Sequence, residues 1–381
     1  MKRLKTVCGV LLLALLISNV WSMSKWSESR GVYDDICYLR QAHLFKRFGA
    51  SGFDTNVARD DDHYLQQKLK QINFPAWNDL TKAPCHTLMP ASNKWVMQYP
   101  PGTGFMLALF PAGLQVIPLY VLASVVIFGL ALIALAYAAT RYSVALAGVF
   151  GLVAIYLMIN PTKASYSVAP TMMVCALAGF LTAKLFAGGD RHRILLTAAI
   201  GLLIGISVDF RLPNLFLAAG YFLFLFVSFL IARNWDAFVQ GFWFGLAFLA
   251  GIAPTLIANA INAGSPFSTT YGSGDVVAPE LNSGILRQYL GDPQFLLLAI
   301  AIMWTMVLWR SRDRSGTRQA ALVVAANLAV NLIFFMTHPI FTAYYTMPIA
   351  MLSLWTLLFA TLDGDREAAA DKSALPQPVK A

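Results

Sequence analysis

Charged residues are scarce in this chain. They make up 12% of its 381 residues, against about 25% in a typical soluble domain. Apolar residues make up 58%, and the mean hydropathy is +0.61. This scarcity excludes an ordinary soluble protein and predicts an integral membrane protein.

A continuous basic face is also lacking, although the net charge is +9. Much of the positive charge lies in short clusters between apolar runs, at Lys2, Arg3 and Lys5, at Arg191 and Arg193, and at Arg310, Arg312, Arg314 and Arg318. Such clusters are typical of cytoplasmic loops. A nucleic-acid-binding protein would need a basic stripe on a soluble domain, so nucleic acid is not an expected partner.

Three further absences narrow the function. No small-residue cleavage site follows the apolar run that begins at Thr6, so we favour an uncleaved anchor over a cleaved signal peptide. No internal repeat of the kind found in inverted-repeat transporters is visible. The central parts of the apolar runs carry almost no ionisable residues, which a transporter needs near the middle of the membrane.

Apolar runs long enough to span a bilayer, about 20 residues each, define the expected architecture. They lie at about 4–21, 103–140, 143–159, 168–187, 194–209, 213–232, 237–258, 294–309, 319–337 and 340–361. In the run 103–140, Pro111 and Pro118 predict a short or re-entrant first half. We therefore expect an all-α polytopic protein of ten or eleven transmembrane helices.

The basic clusters orient this bundle. They place 188–193, 233–236, 310–318 and both termini in the cytoplasm, and 22–102 outside as a large first extracytoplasmic loop. Residues 1–361 then form one transmembrane domain, and 362–381 form a cytoplasmic tail that we expect to be disordered because it is poor in aromatic residues.

Asp34 and Asp35 open the interesting part of the first loop. Apolar residues recur every three positions from Ile36 to Phe48, which predicts a short amphipathic helix on the membrane surface that ends near Gly49. Both carboxylates would lie at its N-terminal end, where the helix dipole favours negative charge. They are either a chemical site or a helix cap.

The cysteines leave one question open. Cys8 and Cys175 fall in apolar runs and are expected to be inert, whereas Cys37 and Cys85 both fall in the first loop. If that loop faces an oxidising compartment, Cys37 and Cys85 form a disulfide; the alternative is two unpaired thiols.

An ordered set of segments lies between the apolar runs. It consists of an acidic pair after the first helix, an aromatic-Pro-Pro segment before the second, and polar segments at later turns. In this chain these are residues 34–42, 99–102, 208–213 and 262–267, and His338 with residues 344–348. This layout resembles that of GT-C fold glycosyltransferases, in particular the members that use a polyprenyl-phosphate sugar, such as the protein O-mannosyltransferases and the lipid A aminoarabinose transferases.

The resemblance implies a multi-pass protein of the bacterial inner membrane with a GT-C-like bundle. It would transfer a sugar from a polyprenyl-phosphate-linked donor to an unidentified acceptor on the extracytoplasmic face. Asp34 then fits the general base, and Asp35 would orient it, bind sugar hydroxyl groups or cap the helix. Whether the two carboxylates share a divalent cation is left open.

Positive charge or hydrogen-bond donors are needed at the donor phosphate. The candidates are Arg211, Lys163, Arg287, His338, Tyr344 and Tyr345. Each also has a structural explanation: Arg211 could pair with Asp209, Lys163 could contact lipid headgroups, and the tyrosines could anchor the interface. The alternative functions are a non-catalytic GT-C-like membrane protein and a transporter of lipid or sugar.

Overall fold

Helices dominate the fold. The computed structural model describes residues 1–28, 33–159, 165–187, 192–233, 235–272, 278–310, 315–338 and 340–374. Its helices are α1 (Lys2–Met23), α2 (Tyr33–Phe48), α3 (Tyr64–Gln71), α4 (Gly102–Ala108), α5 (Val116–Tyr137), α6 (Arg141–Leu157), α7 (Val168–Ala187), α8 (Arg193–Phe210), α9 (Ala219–Ala232), α10 (Trp235–Ala263), α11 (Ser283–Gly291), α12 (Phe295–Trp309), α13 (Ser315–Thr337) and α14 (Met347–Ala374). Two short strands, β1 (His86–Met89) and β2 (Lys94–Met97), pair in an antiparallel hairpin.

Each predicted apolar run contains a helix, but in the described ranges fewer of these helices qualify as membrane spans than the ten or eleven predicted. Within the described residues, eight helical segments are long and apolar enough to cross a membrane, and the pair α11–α12, bent by 84°, would make a ninth. Helix α6 is a shorter apolar helix of 17 residues. The chain is therefore an all-α polytopic membrane protein, as its composition predicted.

The run 103–140 divides into the short helix α4 and the long helix α5, as its prolines suggested. Pro111 lies in the non-helical segment between them. Pro118, in contrast, does not break a helix. It lies in the first turn of α5, where a backbone N–H has no partner within the helix, so its missing donor costs nothing there.

Helices α8 and α10 run parallel in close contact. Gly201 and Gly205 on α8 face the backbone of Phe244 and Phe248 on α10, and a Cβ added at either glycine would lie 2.4 Å from a carbonyl oxygen. Gly251 on α10 approaches α8 in the same way. Small residues allow such approach between membrane helices. The C-terminal ends of α8 and α10 therefore lie side by side at the same end of the bundle.

That end of the bundle also holds the first loop, and we call it the loop end. The segment after α3 packs on the C-terminal end of α10 through Ser92, whose hydroxyl donates to the Asn262 carbonyl at 2.6 Å. The start of α4 packs on the end of α8, because Gly102 lies directly against Asp209. The loop is thus a folded cap on the helices.

The predicted amphipathic helix is present as α2, and it ends at Phe48 before Gly49, which has a positive φ of 56°. Its environment differs from the prediction, since α2 is not a surface helix with one polar face. Arg40, which lies off the apolar stripe, is 1% exposed, and Gln41 is buried as well. The β1–β2 hairpin was not predicted either.

The far end of the chain differs from the expected disordered tail. Helix α14 continues to Ala374, and the last seven residues lie outside the described part. Lys184 at the end of α7 donates to both carboxylate oxygens of Asp363, at 2.8 and 2.9 Å. The Arg366 guanidinium lies 4.6 Å from the Tyr137 ring centroid. These contacts hold α14 against α5 and α7 beyond its apolar part.

Candidate functional site

Asp34 lies in the first turn of α2 and is half-buried. The Tyr99 hydroxyl donates a hydrogen bond of 2.6 Å to its Oδ1 atom. Burial and the neighbouring Asp34 charge raise the pKa of Tyr99 far above its usual value, so this hydroxyl remains a donor at any physiological pH. The Tyr38 ring stacks on Tyr99 with centroids 5.0 Å apart. The carboxylate is therefore oriented by a tyrosine that is itself held in place.

Arg211 follows the last residue of α8 and is 8% exposed. Its guanidinium carbon lies 4.7 Å from the Tyr344 ring centroid and 5.2 Å from that of Tyr345, within the range of cation–π attraction. Its Nη1 atom is buried and has no hydrogen-bond partner among the described residues. A buried guanidinium nitrogen with an unused donor is suited to an anionic ligand.

The charges of Asp34 and Arg211 both act on Tyr344 and on Tyr38. Burial raises the pKa of Tyr344 to about 12; the Arg211 charge opposes this rise, and the charges of Asp34 and Asp35 add to it. Tyr38 likewise has its pKa raised by burial and by Asp34, while Arg211 acts in the opposite direction. The first loop and the end of α8 thus deliver opposite charges to one small region, which we call the tyrosine cluster and define as Tyr38, Tyr99, Tyr344 and Tyr345.

The two carboxylates differ in access. Asp35 is 0% exposed, whereas Asp34 is half-buried. Asp34 is therefore the more accessible of the two carboxylates. This difference favours Asp34 over Asp35 as the group that exchanges a proton, and it leaves Asp35 a role inside the protein.

The remaining candidates for the donor-phosphate site are His338, Arg287 and Lys163. His338 lies at the edge of the tyrosine cluster, with its ring 6.2 Å from that of Tyr345, and burial lowers its pKa. Arg287 is exposed on α11, while Tyr289 on the same helix is buried against Phe341. Lys163 lies outside the described residues.

Arg40 anchors the loop behind the acidic pair. Its guanidinium donates to the carbonyl oxygens of Thr55 and Asn56 at 2.8 and 2.9 Å, and to His86 Nε2 at 3.0 Å. Burial lowers the pKa of Arg40 to about 10, so it stays charged at neutral pH. His86 Nδ1 donates to the Pro84 carbonyl at 2.8 Å, so the ring is neutral. This buried clamp fixes α2 against β1 and against the segment that follows α2, which contains Thr55 and Asn56.

Asn262, at the end of α10, fixes the same segment from the membrane side. Its Nδ2 donates to the Phe53 carbonyl at 2.7 Å, and its Oδ1 accepts from the Thr55 backbone N–H at 2.9 Å. The Thr55 hydroxyl in turn accepts from the Met97 N–H at 3.0 Å on β2. A transmembrane helix is thereby tied through Thr55 to both the hairpin and Arg40.

A disulfide joins Cys37 on α2 to Cys85 just before β1, with Cα atoms 6.6 Å apart. It closes the part of the loop that lies between the acidic pair and the hairpin. Cys8 and Cys175 are free. The bridge lies three residues from Asp34 along α2, so it restrains the helix that carries the acidic pair.

Some contributors to the site could not be read as such from the sequence. Tyr99 stood out only as part of the Tyr-Pro-Pro segment, and nothing in that segment points to Asp34, which is 65 residues away. Tyr271, in the loop after α10, lies 6.4 Å from Tyr99, and the nearby Thr270 donates to the Gln98 carbonyl. His86 is part of the Arg40 clamp, and its position in the sequence does not point to Arg40, which is 46 residues away.

Metal ligands are not grouped in the part of the chain that the structure describes: it contains no set of three or more His, Cys, Asp or Glu side chains suited to a metal ion. The acidic run at residues 60–62 is divided among separate roles. Asp60 accepts from the Leu65 backbone N–H at 2.8 Å, Asp61 pairs with Arg47, and Asp62 contacts His43 at 2.7 Å. Whether a cation is shared by Asp34 and Asp35 stays a prediction.

Two surface grooves, described below, are lined by neither Asp34 nor Arg211.

Comparison of the chain with protein-family models, with curated proteins and with solved structures gives no match.

Proposed function

We propose that this chain is a membrane glycosyltransferase that moves a sugar from a polyprenyl-phosphate-linked donor to an acceptor at the loop end of the bundle. The loop end would face the extracytoplasmic side of a bacterial inner membrane, with both termini in the cytoplasm. The basic clusters of the sequence support this orientation.

The observation that carries the proposal is that Asp34 and Arg211 each lie against members of the tyrosine cluster. The two residues are 177 positions apart by numbering and belong to different parts of the fold, a loop helix and a membrane helix. One supplies a half-buried carboxylate, and the other a buried guanidinium nitrogen with no partner in the described structure. Sugar transfer from a phosphate donor needs this pair of groups, a base and a cation.

In the proposed reaction, the acceptor attacks the anomeric carbon of the donor. The acceptor's proton passes to the Asp34 carboxylate as the new bond forms. The bond from the anomeric carbon to the phosphate oxygen breaks, and polyprenyl phosphate leaves with the electron pair. Arg211 stabilises the charge that builds up on that phosphate, while Tyr99 keeps Asp34 in position.

Asp34→Asn tests the base. Asparagine has the same shape and can still accept from the Tyr99 hydroxyl, so α2 should keep its place while the base is lost. The measurement is the release of free polyprenyl phosphate from a set of added polyprenyl-phosphate hexoses in vesicles of native membrane, which supply the acceptor. We expect the rate to fall by about 10²–10⁴-fold, the usual contribution of a general base.

Asp79→Asn is a matched control. Asp79 is a partly exposed carboxylate of the same loop that pairs with Lys82 at 3.1 Å, and its Oδ1 accepts from the Thr81 N–H at 3.2 Å, a role that asparagine can fill. This variant should keep full activity. Arg211→Lys should keep a positive charge and part of the activity, and Arg211→Gln should raise the KM for the donor. Full activity of Asp34→Asn and Asp34→Ala would refute the proposal and favour a non-catalytic protein.

A further inference from the structure

An apolar groove runs between α12 and α13, on the outer surface of the bundle. It encloses about 560 Å³, within the range of about 300–1,000 Å³ that is common for ligand sites. Ala325 and Ala329, one helical turn apart on α13, form part of its floor, and Met306 and Trp309 on α12 form part of its wall. Small side chains on one helix opposite large ones on its neighbour leave this space open.

Polar interactions are nearly absent along the groove. The Thr305 hydroxyl, which also lines it, already donates to the Ala301 carbonyl of its own helix at 2.7 Å. The α12 part of the groove, from Ile302 to Arg310, is about 12 Å long at the rise of an α-helix. Its shape and surface suit a flexible hydrocarbon chain.

Arg310 closes the groove at the C-terminal end of α12 and is exposed. It opens a basic segment: Arg312, Arg314 and Arg318 follow it in the sequence, with Asp313 as the only acidic residue among positions 310–318. A hydrocarbon slot that ends at a positive charge matches the two parts of an anionic phospholipid. This end of α12 is opposite to the loop end, so the groove is separate from the tyrosine cluster.

We propose that this groove, which we call the α12–α13 groove, is a binding site for an anionic phospholipid, with an acyl chain along α12 and the headgroup phosphate at Arg310. The site does not depend on the proposed transferase activity. A basic residue at a membrane surface contributes an attraction equivalent to about a fivefold preference for an anionic lipid. That preference is the expected signature of the site.

A second groove provides an internal comparison. It encloses about 180 Å³ between α6, α12 and α14, and none of the residues that line it is charged. Trp304 lines this second groove, whereas Trp309 lines the α12–α13 groove. One helix therefore carries a tryptophan reporter for each groove, and only one of the two grooves ends at an arginine.

The experiment uses bromine-labelled lipids, which quench tryptophan fluorescence on contact. The full chain is reconstituted in phosphatidylcholine vesicles that contain a small, equal fraction of brominated phosphatidylglycerol or brominated phosphatidylcholine. The contribution of each reporter is the difference between the unsubstituted chain and Trp309→Phe or Trp304→Phe. We expect Trp309 to be quenched with about fivefold higher apparent affinity by the anionic lipid, and Trp304 to be quenched equally by both.

Two charge variants show whether Arg310 is the cause. Arg310→Gln should remove the preference at Trp309, while Arg233→Gln, which removes an exposed arginine at the end of α9, should leave it unchanged. Ala329→Phe should fill the groove and lower quenching of Trp309 by both lipids. Equal quenching of Trp309 by the two lipids would overturn the proposal. So would an equal loss of preference in both arginine variants, because that would show general attraction to the surface.

Discussion

Acidification should loosen the first loop through His86. Burial, and secondarily the Arg40 charge, lowers the pKa of His86 from 6.5 to about 3. The unfolded segment therefore binds a proton between these two values that the folded segment does not bind. Stability is complete above pH 6.5 and decreases as the pH falls toward 3. The sign follows from the structure, because a proton on Nε2 would face the Arg40 guanidinium and break their hydrogen bond.

The magnitude follows from the two pKa values. At pH 5, protonation favours the unfolded segment by about 2 kcal/mol, which is about thirtyfold in the opening equilibrium, whereas at pH 7.5 the effect is close to zero. A loss of this size is a large fraction of the stability of a small unit such as the β1–β2 hairpin.

Hydrogen exchange of the β1 and β2 amides measures this opening locally, after correction for the intrinsic pH dependence of exchange. The matched variant is His86→Gln, whose amide oxygen can still accept from Arg40 but does not titrate. We expect the opening free energy of the unsubstituted chain to fall by about 2 kcal/mol from pH 7.5 to 5, and that of the variant to stay nearly constant. An equal fall in both proteins would refute the assignment to His86.

Three further predictions concern the support of the site. Tyr99→Phe removes the hydrogen bond to Asp34 and should slow polyprenyl phosphate release about tenfold or more without lowering the amount of protein. That factor corresponds to the roughly 1.5–3 kcal/mol typical of a hydrogen bond to a charged group. An unchanged rate would show that Tyr99 does not contribute to the site. Reduction of the Cys37–Cys85 disulfide should destabilise the loop by about 4 kcal/mol in the chain-entropy model, seen as faster proteolysis of the loop in dithiothreitol, and a Cys37→Ser/Cys85→Ser variant should not respond to the reductant. Asn262→Leu leaves buried backbone groups of the loop without partners and should cost about 2–3 kcal/mol in thermal unfolding; a variant as stable as the unsubstituted chain would show that these bonds are replaced by water.

The grouping of the candidate residues at one end of the bundle was largely predictable. Once each apolar run is taken as a crossing, Asp34, Arg211, His338 and Tyr344 all fall at turns on the same side. That inference needs only the length of the apolar runs and the alternation of successive turns between the two membrane faces, because a bilayer forces each span to cross fully. What the crossings do not give is the direction in which each side chain points.

Long-range polar contacts were not predictable. Arg40 looked like a solvent-facing residue of an amphipathic helix, yet it is buried against backbone carbonyl oxygens of Thr55 and Asn56. Every residue has a backbone carbonyl group whatever its side chain, so the acceptors of such a clamp cannot be recognised from residue types. The ion pair between Lys184 and Asp363 was not predictable either, because Lys184 lies near the end of an apolar run and Asp363 lies in the tail that was expected to be disordered.

The glycine contacts between α8 and α10 have a mechanical consequence for the site. At Gly201, Gly205 and Gly251 the two backbones are in direct contact, so we expect these helices to tilt or slide as one body. Arg211 extends from the end of one, and Asn262, which grips the loop, from the end of the other. A change in bilayer thickness would therefore move the cation and the loop's tether together, and the spacing between Arg211 and the acidic helix would be preserved across membranes of different lipid content.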